Sequence, residues 1–418
     1  MRIAYIVPYV PNRIRTRPHN LINQLTALGH EVSVFTLGSN RQDSLDAQML
    51  RSTCSRIYYH VQPTWRSFLN CAAALPSHQP LQYVYSWHGV LAQQLAQRIS
   101  QEEFDIVHVE HLRGSRYGVF LKSQFPAMPV VWDSVDCISH LFRQAASHSR
   151  SVFGKFMTRF DLPRTVQAES DLICQFDHTL VTSLADRNAM LELVPIGQTP
   201  SQISVLRNGV DMEYFYPNHE LQRDAETIVF SGKMSYHANI SMAKYLVEAI
   251  MPRIWKFRPA ARLYIVGKDP APAIKKMTRN PLITVTGTVD DIRPFLWRAT
   301  VSVVPLLYGA GIQNKILEAM ATGTPVVTTC QALSALQAQP GKDLFVSDDP
   351  DGFAQAVLQL IANRDLQQKT GDAGVRYIST FHSWASITSQ LVNIYQQVLD
   401  SNSEDKADIL PPRKDISL

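Results

Sequence analysis

Cysteine is scarce in this chain of 418 residues: the five, at Cys54, Cys71, Cys137, Cys174 and Cys330, are odd in number, scattered and without a CxxC spacing. That pattern indicates neither a disulfide framework nor a zinc-thiolate site, and no metal is expected. No run of about 18 apolar residues is present to span a bilayer. The N-terminal run "MRIAYIV" is stopped by Pro11, Asn12 and Arg13 without a small-residue cleavage site, so it reads as a strand and not as a signal peptide. Charge imbalance is also missing. With a net charge of only +4 and no basic block interleaved with aromatics, the chain gives no case for nucleic acid as a partner. GxGxxG after a strand is absent too, which argues against an NAD-linked oxidoreductase. One absence is local. Residues 51–100 contain Arg51, Arg56, Arg66 and Arg98 but no acid, together with Tyr58, Tyr59, Trp65, Phe68, Tyr83, Tyr85 and Trp87. Such a surface suits an anionic membrane face or an anionic acceptor. The expected location is cytoplasmic, with peripheral contact at the inner membrane face through the N-terminal domain.

What is present is alternation. Short apolar runs ("RIAYIV", "HEVSVFTL", "FDIVHV", "PVVWD", "HTLVTS") are separated by longer helical patterns, and a second series ("TIVFSGKM", "RLYIVG", "ITVTGTV", "VSVVPL", "TPVVTT") starts after Glu226. Strand and helix alternating in this way predict two α/β domains with doubly wound, Rossmann-like parallel sheets, and the length agrees with two or three domains. The boundary falls near residue 200, where Asn208-Gly209 signals a turn. The expected division is an N-terminal domain over 1–200, a C-terminal domain over 201–382, a helix over 383–400 packing back on the N-terminal domain, and a disordered polar tail over 401–418. Ligands of doubly wound folds bind outside the carboxyl ends of the strands. A cleft between the two domains is the expected site, and the loops after the strands are its walls.

The most informative stretch is "GAGIQNKILEAMATGTPVVTT", Gly309–Thr329. Glycines between a strand and a helix expected over about 312–321 leave bare amides at a helix start, an arrangement that binds anions, typically phosphate. Lys315 and Glu318 lie three residues apart on one face of that helix. A lysine neutralises phosphate and a carboxylate accepts hydrogen bonds from paired sugar hydroxyls; an ordinary helical charge pair has the same spacing, and both readings stay open.

"KILEAMATGTPVV", together with "LRNGVDMEYFYP" and "LITVTGTVDDIRPFLWRATVSVVPL", resembles the family-4, group 1 glycosyltransferases of GT-B fold, including those that build bacterial polysaccharides. The resemblance covers roughly residues 1–400 and is strongest between 203 and 330. It implies transfer of a sugar from a nucleoside-diphosphate donor, UDP- or GDP-linked, with retention of configuration and with neither metal nor cofactor. The C-terminal domain would bind the donor and the N-terminal domain a glycan or lipid-linked acceptor, in polysaccharide or glycolipid synthesis. Carried over by position, Glu318 would hold the ribose. Gly309, Ala310, Gly311, Ile312, Gln313, Asn314 and Lys315 would surround the diphosphate, Gly232-Lys233 would supply a cation, and the backbone at Thr288-Val289 would read the base.

The chain departs from the family at three places. Ala310 stands where the family's E-x7-E pattern has a glutamate that contacts the donor sugar. The second family cation falls on Ala238 or Asn239, so Lys315 is its replacement. The first loop lacks Gly-Gly and carries Arg13, Arg15 and Arg17, which alternate spacing in an extended segment would align on one side. Pro18 would start the following helix. These arginines form either a solvated loop or a site for an anionic acceptor such as a lipid diphosphate. In "FDIVHVEHLRG", Glu110 and His111 lie past the strand as catalytic candidates, whereas His108 fits a core histidine or an acceptor contact equally well. Asp133 ends another strand and fits an acceptor contact or a helix cap. Two rival functions are a sugar-nucleotide epimerase of the same fold and a non-catalytic GT-B subunit. The epimerase would need acid and base residues around the hexose, and the missing acid at Ala310 disfavours it. Ala310 motivates the non-catalytic subunit, and Glu318, Lys233 and Lys315 argue against it.

Overall fold

The computed structural model describes residues 1–12, 14–148, 152–308 and 312–409. The readings placed on Arg13, Gly309, Ala310, Gly311 and the tail from 410 to 418 lie outside the described residues. The chain divides into two units, one formed by Met1–Leu206 with Thr388–Leu418 and the other by Arg207–Ile387.

In the first unit seven strands, β1 (Arg2–Val7), β2 (Glu31–Gly38), β3 (Arg56–Val61), β4 (Ile106–Glu110), β5 (Val130–Val135), β6 (His178–Val181) and β7 (Gln202–Val205), form a sheet of order 3-2-1-4-5-6-7. Every pairing is parallel. β1 is buried continuously from Ile3 to Val7, as required of a strand covered on both faces. The order reverses between β1 and β4, so the crevice of this doubly wound sheet opens beyond Val7 and Glu110. The helix Trp384–Ile409 returns to this unit and buries Leu391, Tyr395 and Val398 at i, i+4 and i+7. It continues nine residues past the predicted end of the helix at 400.

The second unit holds β8 (Thr227–Ser231), β9 (Arg262–Val266), β10 (Ile283–Gly287), β11 (Val301–Val304), β12 (Val326–Thr328) and β13 (Phe345–Val346), again all parallel, in the order 10-9-8-11-12-13. Its switch point lies between β8 and β11. The single helix read over 241–257 is interrupted: it begins at His237, widens to a π turn over Leu246–Ile250 and resumes at Met251–Phe257. Pro252 accounts for this, because it offers no N–H to the preceding turn and its ring crowds the carbonyl four residues back.

Two helix starts also differ from the sequence reading. The helix expected at Ile312 begins at Asn314, with Gln313 extended at φ −83° and ψ 98° as its N-cap. The first helix begins at Thr16 and not at Pro18, because Asn12 Oδ1 accepts from the amides of Ile14 and Arg15 and turns the chain early. The extended segment that would have aligned the arginines is therefore not formed. No helix among the described residues is long and apolar enough to cross a membrane.

Candidate functional site

At the switch point of the second unit the backbone is pressed against a lysine. Gly232, after β8, has φ +145°, and a Cβ there would lie 2.8 Å from Asn239 Nδ2 and 3.2 Å from Lys315 Cε. Gly267, after β9, has φ +146°, and a Cβ on it would collide with the Gly232 carbonyl. Two glycines are needed because no side chain fits between these chains. Asn239 Nδ2 donates to the Lys233 carbonyl at 2.9 Å and fixes the turn, leaving the Lys233 side chain exposed. Ala238 and Asn239 are both buried, and Asn239 serves as an amide that positions the turn.

Lys315, in the first turn of the helix Asn314–Ala321, donates from Nζ to Gln313 Oε1 at 3.1 Å. Burial lowers its pKa to about 8, only partly opposed by the charge of Glu318. Burial likewise raises the Glu318 carboxyl, against the pull of Lys315. Ile312, Ile316, Ala319 and Met320 hold the helix to the core, which leaves Lys315 and Glu318 on the face turned from it. Thr288 and Val289 follow Gly287, whose φ of +70° ends β10 two strands away at the same carboxyl edge. Asn314 is exposed. The sequence reading missed His237 and Tyr308, whose rings stack at 5.7 Å with Nδ1 and the hydroxyl 3.0 Å apart.

The carboxyl edge of the first unit's sheet carries a buried polar cluster. Arg17 Nε donates to Asp133 Oδ2 at 2.8 Å, the two side chains being 5% and 0% exposed. That corrects the reading of Arg17 as a ligand-facing cation: helix formation from Thr16 swings it inward. Arg15 goes elsewhere, donating to the Val10 carbonyl at 2.9 Å and to Asp43 at 3.4 Å while lying 5.0 Å over the Tyr9 ring. Asp133 Oδ1 accepts from the Val135 amide at 3.2 Å.

Glu110 was expected to point outward, but it is fully buried beneath two tyrosines absent from the sequence reading. Tyr9 donates to it at 2.6 Å and Tyr5 at 3.1 Å. Burial, with the Asp133 charge second, raises its pKa to about 8 against the opposing effect of Tyr9, Arg17 and Tyr5. His108 is also buried, stacked on Tyr5 at 4.2 Å, with Nδ1 sharing a hydrogen bond with the Tyr395 hydroxyl at 2.8 Å. Burial lowers it to about 4, so its imidazole is neutral although Nε2 lies 3.7 Å from Asp133. His111 begins a helix at φ +63° and is lowered to about 4 by burial. Val135 has φ +69° at a bulge ending β5. Two non-glycine residues held in the left-handed region, one of them β-branched, mark backbone strain of roughly 1–3 kcal/mol each at this edge. At the carboxyl ends of β1 and β2 a cavity of about 150 Å³ is lined by Tyr9, Arg15, Gln62, Ser67, Tyr85 and Arg113.

Two doubly wound sheets with polar groups at both switch points are the architecture of GT-B glycosyltransferases. Sucrose-phosphate synthase from Thermosynechococcus elongatus superposes with a TM-score of 0.69 at 17% identity, covering 96% of this chain and all of that one. Anabaena HepE, solved in complex with UDP-glucose, gives 0.65 at 13% identity over 95% of this chain and 100% of its own. Residues 15–214 match the model of Glycosyltransferase Family 4 and residues 225–363 that of Glycosyl transferases group 1; the chain belongs to this glycosyltransferase family. Among relatives, the alpha-maltose-1-phosphate synthase of Mycobacterium tuberculosis is 28% identical over 260 residues, which is 55% of this chain and 65% of that protein. The MMP alpha-(1->4)-mannosyltransferase of Mycolicibacterium hassiacum is 22% identical over 401 residues, 91% and 93% of the two chains.

Proposed function

We propose that the chain transfers a hexose-type sugar from a UDP- or GDP-linked donor to a glycan or lipid-linked acceptor with retention of configuration, in polysaccharide or glycolipid synthesis. The observation that carries this reading is the approach of Gly232 to Lys315 at the switch point of the second unit. Side-chain-free backbone, a helix start and a lysine there suit a diphosphate. Glu318, one turn along the same helix, suits the paired hydroxyls of the ribose. Thr288 and Val289 would meet the base. As the glycosidic bond breaks, negative charge grows on the leaving diphosphate, and Lys315, Lys233 and the amides before Asn314 would stabilise it where it develops. Lys315, with a pKa near 8 in the free protein, would be drawn fully into its charged form by the anion.

The first unit would take the acceptor. Arg15 and Arg113 at its cavity suit an anionic group. Glu110, closed under the tyrosines, would act through the Tyr9 hydroxyl that it accepts from, as a positioning residue.

A panel of nucleotide sugars tests the reading, first by thermal shift and then by slow donor hydrolysis without acceptor. Ligand stabilisation follows concentration over dissociation constant, so a weak donor registers. Glu318→Ala should remain folded and lose roughly 1–3 kcal/mol of nucleotide-sugar binding. Undiminished affinity in the folded variant sinks the ribose assignment. Donor binding without any hydrolysis or transfer would leave a binding subunit instead of an enzyme.

A further inference from the structure

The helix Thr64–Ala74 has its apolar stripe on the wrong side for a globular core. Trp65, Phe68 and Leu69 are 63%, 67% and 58% exposed, and Ala72 and Ala73 are exposed as well. These positions are i, i+3, i+4, i+7 and i+8, one face of a helix. Leu75, just past its end, is 49% exposed. The inward face is small and polar by comparison, with Ser67 and Ala74 buried. Scattered apolar side chains on a surface are ordinary; a contiguous stripe led by an exposed tryptophan is not.

We infer that this face docks the protein on an anionic lipid bilayer, lying in the plane of the interface. Charge selects the occupant. The stretch 51–100, which contains the helix, has no carboxylate of its own. Of its four arginines Arg56 and Arg98 are paired with Glu102, and the charge beside the helix comes from Arg66 and from Arg164. Arg66 extends from the helix itself, its guanidinium 3.4 Å from His88 Nε2. Arg164 donates to the Leu75 carbonyl at 2.7 Å, which puts another guanidinium at the helix end. A helix with a cationic rim, a tryptophan and an apolar stripe partitions into the headgroup boundary of acidic membranes. A protein partner covering the same face would have to meet the arginines with carboxylates, and this stretch supplies none for pairing a second copy of the chain.

The opposite side of the same helix reinforces the inference. Thr64 and Ser67 line the cavity that also holds Tyr9, Arg15 and Arg113. An acceptor with a phosphate headgroup and a lipid tail would reach that cavity from the face where its tail already lies. This extension rests on the proposed transferase reading, whereas the docking face itself does not.

The experiment is sedimentation of the full chain with sucrose-loaded vesicles, either pure phosphatidylcholine or an equal mixture of phosphatidylcholine and phosphatidylglycerol, without nucleotide. Wild type should pellet with the acidic vesicles and remain in solution with the neutral ones. Trp65→Ser/Phe68→Ser/Leu69→Ser should reduce its partition about tenfold or more, since each side chain contributes buried apolar area. Its urea midpoint and nucleotide binding should match wild type. Arg66→Gln should weaken binding to acidic vesicles only. Equal partition of the triple variant and wild type overturns the proposal, as does wild type that ignores acidic vesicles. A wild-type dimer in lipid-free buffer that the triple variant dissociates overturns it in favour of a face between copies.

Discussion

Arg17 and Asp133, separated by 116 residues, form a 2.8 Å ion pair closed to solvent. Removing one partner of a buried pair leaves an uncompensated charge, so Arg17→Met should cost about 3–5 kcal/mol of stability. Arg17→Met/Asp133→Leu should recover most of that loss. Urea unfolding measures both, and a single variant within about 1 kcal/mol of wild type would show that the pair is not structural.

Arg15 is the arginine of this loop proposed to meet the acceptor. Its side chain is 35% exposed, and the Asp43 carboxylate it reaches at 3.4 Å is only 7% exposed. Arg15→Gln should shift stability by less than about 1 kcal/mol. The ratio of acceptor-dependent transfer to acceptor-free donor hydrolysis should fall several-fold and lose its salt sensitivity. An unchanged ratio would return Arg15 to the solvent.

Glu110 makes stability pH-dependent with a defined sign. Its carboxyl is raised from 4.5 to about 8, so the folded state holds a proton that the unfolded state releases. The associated stability is full below about pH 4.5 and declines as pH rises to about 8. Glu110→Gln keeps an acceptor for Tyr9 and Tyr5 without the titration. The difference between wild type and variant in unfolding free energy should change by a few kcal/mol over that window, at about 1.4 kcal/mol per pH unit. A constant difference from pH 5 to pH 8 contradicts a protonated Glu110.

Lys315 places a second titration in ligand binding. With its pKa near 8, wild-type affinity for UDP or GDP should fall as pH rises above about 8, up to tenfold per unit where the anion requires the charged lysine. Lys315→Met should bind more weakly below pH 8 and show no such decline. Calorimetric titrations at pH 7, 8 and 9 decide the matter; parallel curves for both proteins would remove Lys315 from the anion site.

Gly267→Ala tests the backbone cradle. The added methyl would strike the Gly232 carbonyl, and φ of +146° strains any other residue. A loss of roughly 2 kcal/mol or more is expected, with nucleotide affinity falling as Gly232 is displaced. Full stability and affinity in this variant would show that the contact relaxes freely.

The strands were legible because both sheet faces are covered, which makes each strand an apolar run in the sequence. Lys315 and Glu318 could be singled out because a turn and a helix start fall with them within one short segment. What escaped was long-range. Tyr395 reaches His108 across 287 residues, and nothing local in either segment announces it. Arg17 looked like a loop cation because the Asx turn at Asn12, which starts the helix early, is a geometric event with no periodic signal. In the segment Thr64–Ala74 the apolar stripe is plain from spacing, but spacing cannot say whether a stripe faces a core or a bilayer.

The hydrogen bond between Tyr395 and His108 also sets an order of events during synthesis. Strand β4 leaves the ribosome long before Tyr395 is made, so the first unit must wait with an incomplete core while the whole second unit is translated. During that interval the His108 imidazole lacks its tyrosine partner and the surface later covered by Leu391 and Val398 is open to water. Premature termination between Ile387 and Tyr395 would therefore yield a chain whose last-made unit is whole and whose first-made unit is not, a product marked for chaperones or proteases by its oldest part.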